Sequence, residues 1–82
     1  MIDVLYFAWV RERIGKTKET VETEAETVAG LVKELSERGQ RYALAFSDLG
    51  SLRVAVDQEL LDFDASLMGA REVAFFPPMT GG

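Results

Sequence analysis

Apolar residues fill the start of the chain from Ile2 to Val10, interrupted only by Asp3, and their branched and aromatic character predicts an extended strand over that span. Arg11 to Ile14 reads as a short turn and Gly15 as a break. Thr17 to Thr23 then alternates polar side chains as an edge strand protected by charge would. From Thr27 the period changes. Thr27 suits an N-cap, and Val28, Leu31, Val32 and Leu35 recur at i, i+3, i+4 and i+7, the apolar stripe of an amphipathic helix. Gly39 is expected to stop that helix in the left-handed conformation, and Tyr42 to Phe46 to add one further turn. Leu52, Val54 and Val56 alternate with Arg53 and Ala55 as a third strand. A turn at Asp57–Gln58 leads to a short fourth strand at Leu60–Leu61, and Gly69–Ala70 turns into a fifth from Glu72 to Phe76. Pro77–Pro78 ends it, because neither residue can donate an amide proton.

The predicted order is β-β-α-β-β-β, an α+β domain with one main helix packed on one face of a sheet. Residue parity turns Ile2, Val4, Tyr6 and Ala8 of strand one, and Val73 and Phe75 of strand five, toward the helix. Asp3 and Glu72 mark the opposite, wet face. That face also carries Leu5, Phe7, Trp9, Ala74 and Phe76, more apolar surface than water-facing strands warrant. If strands one and five are neighbours, these residues form one patch. Either a loop of this chain covers Phe7 and Phe76, or they anchor another protein.

At 82 residues the chain is expected to form one domain, residues 1–76, followed by an extended, flexible tail over 77–82. So small a core leaves little room for a deep catalytic cavity, so an enzyme complete in itself is not expected. The absence of histidine and cysteine removes the commonest general base, thiol catalysis, disulfides and imidazole or thiolate zinc sites. A net charge of −5 argues against nucleic acid as a partner. The longest apolar run falls far short of the roughly 20 residues that span a bilayer, and no signal-peptide pattern precedes it, so the expectation is a cytoplasmic protein with no membrane role. Asp57, Glu59, Asp62 and Asp64 lack the turn glycine and closing glutamate of a calcium loop, so no metal is expected there. Gly15–Lys16 reads as a bend and not a phosphate loop, and Arg11 and Glu12 as either partner contacts or a surface turn.

The final stretch, Phe75-Phe76-Pro77-Pro78-Met79-Thr80-Gly81-Gly82, carries the most chemistry. A frayed end is one reading. Against it, a proline pair holds the chain extended, and four residues beyond it reach about 13 Å, enough to enter another protein's active site. Gly81 and Gly82 have no Cβ, so a narrow channel can pass their backbone. The tail therefore reads as a substrate, whose ionised carboxylate needs activation, as by ATP, before a nucleophile can capture it.

These residues resemble a known family. The ending Val73-Ala74-Phe75-Phe76-Pro77-Pro78-Met79-Thr80-Gly81-Gly82 looks like the V-A-F-F-P-P-x-T-G-G signature of the small subunit of molybdopterin synthase, a ubiquitin-like sulfur carrier. Ala8, Arg11-Glu12 and the helix from Thr27 to Leu35 are similar to weaker features of that family. The resemblance implies a β-grasp fold with a mixed sheet, and a carrier that is not catalytic by itself. It implies a part in molybdenum cofactor biosynthesis, with Gly82 first an acyl adenylate and then a thiocarboxylate. ATP and magnesium would be consumed on a ubiquitin-activating-type adenylating enzyme, with no cofactor bound to the carrier, and a persulfide would donate the sulfur. The carrier would join a large subunit in a heterotetramer and insert Thr80, Gly81 and Gly82 into its active site, where sulfur passes to cyclic pyranopterin monophosphate. Leu5, Phe7, Trp9 and Phe76 are then the expected docking surface, used in turn by activator and synthase. From its net charge, the carrier would suit a partner with a basic mouth. The rival expectations are sulfur carriage for thiamine or transfer-RNA thiolation, a modifier joined to lysines through Gly82, and an interaction module with an inert tail.

Overall fold

Residues 1–78 are described by the computed structural model, and they form a single sheet with three α-helices, besides a short 3-10 turn at Leu49–Ser51. In chain order these are β1 (Ile2–Tyr6), α1 (Ala8–Ile14), β2 (Lys18–Val21), α2 (Val28–Ser36), α3 (Gln40–Ala45), β3 (Arg53–Val56), β4 (Glu59–Leu61) and β5 (Glu72–Phe76). The strands lie in the order β2-β1-β5-β3-β4. Central β1 and β5 are parallel and the other pairings antiparallel, so the sheet is mixed.

Strand one is shorter than its apolar run. It stops at Tyr6, and Ala8 to Ile14, expected as strand and then turn, coils into α1. The switch occurs at Ala8, whose φ of 53° is left-handed and turns the chain sharply. Val10 and Ile14, four residues apart, then share the buried face of α1, and Gly15 closes the helix at φ 87° with its N–H donated to the Arg11 carbonyl. Ala8 is accordingly exposed and not part of the inner face.

α2 follows its predicted stripe. Thr27 Oγ1 accepts from the Gly30 N–H at 3.1 Å, and Val28, Leu31, Val32 and Leu35 are buried. Each such side chain removed from water contributes roughly 1.5–3 kcal/mol before chain entropy is set against it. The helix ends before Gly39, whose φ of 164° is ordinary extended backbone. Gly39 precedes α3 instead of stopping α2 in the left-handed conformation. Under the helices the inner face presents Ile2, Val4, Tyr6, Val54, Val56, Val73 and Phe75. Tyr6 and Phe75, paired across β1 and β5, stack at 6.4 Å, and Phe46 meets Phe75 edge-on at 5.0 Å.

The polar edge strand β2 is tied to this core by one carboxylate. Glu19 accepts from the Tyr6 hydroxyl at 2.7 Å, the Tyr42 hydroxyl at 2.8 Å, Arg38 at 3.1 Å and Lys16 at 3.3 Å. Burial by itself raises the Glu19 carboxyl, but the tyrosine hydrogen bonds and the Arg38 charge outweigh it and hold the group below its usual range. Burial, then the bond to Glu19, pushes the Tyr6 phenol far above its ordinary value.

Candidate functional site

The outer face of the sheet is built in three rows by strand register. Farthest from the tail, Asp3 pairs with Glu72, and Thr20 lies beside Asp3. The middle row runs Lys18, Leu5, Ala74, Ala55, Leu60 across all five strands. At the tail end stand Phe7, whose N–H is donated to the Phe75 carbonyl at 3.1 Å, then Phe76, then Arg53 opposite it. Parity thus gathers Leu5, Phe7, Ala74 and Phe76 into one patch because β1 and β5 are neighbours.

An open groove of about 680 Å³ runs along this patch, lined by Leu5, Phe7, Ala55, Ala74, Phe76 and Pro77, with Gln58 and Glu72 at its polar end. The exposed apolar area is unevenly shared. Phe7 is 43% exposed and Leu60, on the edge strand, 65%, whereas Leu5 and Phe76 are half-buried by their neighbours. Leu60, Ala55 and Pro77 were not singled out from sequence. The signal for the first two was available in the alternation of β3 and β4, but only the pairing Ala55 with Leu60 puts them on this face.

Trp9 does not belong to the patch. It lies on α1, not on a strand, half-buried against the core with the Arg13 guanidinium 5.1 Å from its ring centroid. With Leu44, Ala45 and Asp48 it lines a separate groove between α1 and α3. Arg11 and Glu12 are exposed on the same helix. Of the acidic run, Asp57 has a structural role: its Oδ1 accepts from the backbone N–H groups of Arg71 and Glu72 at 2.9 and 3.0 Å, pinning the β3–β4 turn to the start of β5. No group of three or more potential metal-ligating side chains occurs among the described residues, and none of their helices is long and apolar enough to cross a membrane.

At the end of β5, Pro77 and Pro78 leave the sheet beside Phe7 and Arg53. Thr80, Gly81 and Gly82 lie outside the described residues. The apolar face thus runs through Phe76 to Pro77, at the root of the final segment.

A mixed sheet in this order, closed over a central helix and left open on its other face, is the β-grasp fold of ubiquitin-like proteins. The crystal structure of SAMP1 from Haloferax volcanii superposes with a TM-score of 0.75 at 23% identity, covering 99% of this chain and 98% of that one. The chain belongs to the ThiS family, whose model matches residues 4–82. It is 46% identical over 82 residues to the molybdopterin synthase sulfur carrier subunit of Escherichia coli K12, and 38% identical to that of Haemophilus influenzae, with all of both chains covered in each case.

Proposed function

We propose that this chain is the sulfur carrier subunit of molybdopterin synthase, a non-catalytic partner whose reactive group is the Gly82 carboxylate. The observation that carries this reading is the continuity of the apolar outer face, through Phe76 and Pro77, with the tail. A partner that covers Leu5, Phe7, Leu60 and Phe76 is thereby positioned to receive Thr80, Gly81 and Gly82. Two relatives that bear this role match end to end and support the reading.

The chemistry takes place on partners. On a ubiquitin-activating-type adenylating enzyme, a Gly82 carboxylate oxygen attacks the α-phosphate of ATP, expelling pyrophosphate to leave an acyl adenylate. Magnesium on that enzyme offsets the phosphate charge. A persulfide then attacks the acyl carbon and AMP leaves. A second thiol on the donor cleaves the resulting acyl disulfide, forming a donor disulfide and freeing the thiocarboxylate. Docked on the large subunit in a heterotetramer, the carrier gives its sulfur to cyclic pyranopterin monophosphate, and repeated rounds build the dithiolene. Cytoplasmic placement accords with the small, anionic, cysteine-free chain and the soluble partners this sequence of steps requires.

The expected outcome for the full chain with one residue appended after Gly82 is binding to the large subunit with no molybdopterin formed in a reconstituted synthase. Undiminished product from the extended chain would contradict the proposal. Lysine-linked adducts accumulating from the unextended chain, with no molybdopterin formed, would favour a modifier.

A further inference from the structure

Net charge and local charge disagree on the outer face. The chain carries −5 overall, yet the group nearest the tail exit on the sheet is basic: Arg53 projects from β3 directly across from Phe76, on the face opposite buried Val54 and Val56. Its guanidinium donates to the Leu52 carbonyl at 2.8 Å and the Gly50 carbonyl at 3.4 Å. It has no carboxylate within ion-pair distance among the described residues. Carbonyl bonds steady the side chain but bring it no opposite charge.

The acidic groups occupy the other end. Asp3 and Glu72 sit two rows away, about 14 Å along the strands at roughly 3.4 Å per residue. Asp3 is partly offset by Lys18 at 3.8 Å, whereas Glu72 has no ion-pair partner among the described residues. That separation exceeds the screening length of about 8–10 Å in physiological salt, so the two ends act as distinct poles with an apolar strip between them.

We infer that Arg53 is a specificity contact, meeting a carboxylate on the rim of the channel that takes the tail, while Glu72 meets a basic group at the far side of the same partner surface. The inference rests on the docking role proposed above and names the partner chemistry: an apolar patch with an acidic group, not a basic one, at the channel mouth beside β3. An apolar strip by itself allows a partner to seat in either direction, and only one direction puts the root of the tail at the channel. Opposite charges at the strip's two ends make the reversed pose repulsive at both, which fixes the orientation.

The test follows association of the full-length chain with the molybdopterin synthase large subunit at low and high salt, using Arg53→Glu, Arg53→Gln, Arg53→Lys, Glu72→Lys and Phe76→Asp, with thermal melts for each. Arg53→Glu is expected to slow association about tenfold and flatten its salt dependence, with Arg53→Gln intermediate and Arg53→Lys near the parent rate. Glu72→Lys should slow association in the same way. If Phe76→Asp loses binding while folded Arg53→Glu and Arg53→Gln associate like the parent, the charge contact is wrong and the docking face stands. If Phe76→Asp also binds like the parent, the face itself is wrong, and the inference falls with it.

Discussion

Glu19 sits on a mostly exposed edge strand, yet it collects four donors and satisfies the hydroxyl of Tyr6, a residue with no exposed surface. Its carboxyl is held below the 4.5 of a free glutamate, so the folded state favours the ionised form. The stabilisation that follows is fully present above 4.5 and is lost as pH falls through the folded value, because the folded chain resists a proton that the unfolded chain accepts. Denaturation curves should therefore show stability falling with acid below 4.5. Glu19→Gln should be less sensitive to pH in that window while still offering Tyr6 an acceptor. Glu19→Ala, which strands the Tyr6 hydroxyl, should cost about 1–3 kcal/mol at neutral pH. An unchanged acid limb in Glu19→Gln would mean that other carboxylates govern acid stability.

Among the elements, α1 tests the packing account, and it also marks where the sequence was hard to read. The strand β3 and the helix α2 were legible because alternation or a clean i, i+4 stripe admits one solution, and β4 and β5 because turn residues and prolines bound them, whereas the pairing of β4 with β3 left no such signal. The run Val4 to Val10 admits two. A fully apolar segment has no visible period, so the passage from strand to helix at Phe7 left no signal in the residue types. The positive φ at Ala8 carries none either, since alanine is not a residue that advertises a left-handed turn. From that one misreading came the placement of Trp9 on the outer face of the sheet. Leu5, Phe7 and Phe76 survived it because their parity depends only on residues before and away from the bend, whereas Leu60 needed the pairing of β4 to be seen. Ile14, expected in a turn, is 4% exposed and fills the core beneath α1. Ile14→Ala should accordingly lose about 2–5 kcal/mol in chemical denaturation. A loss within about 0.5 kcal/mol, usual for a surface turn, would place α1 outside the cooperative core.

For the molecule as a whole, the sheet separates two tasks. Its inner face packs against the helices and holds the fold. Its outer face keeps an apolar strip in water, and a domain this size bears that cost when the strip is covered in a complex. In the proposed role all of the chemistry resides in Gly82, and the globular body supplies address and orientation. The direct measurement is the intact mass of the full chain after incubation with ATP, magnesium, a persulfide donor and the adenylating enzyme of the pathway. The account predicts exchange of one oxygen for one sulfur, mapped to Gly82, dependent on ATP and absent when Gly82 is deleted. An unchanged mass with an active adenylating enzyme, or sulfur found anywhere but the last residue, would contradict it.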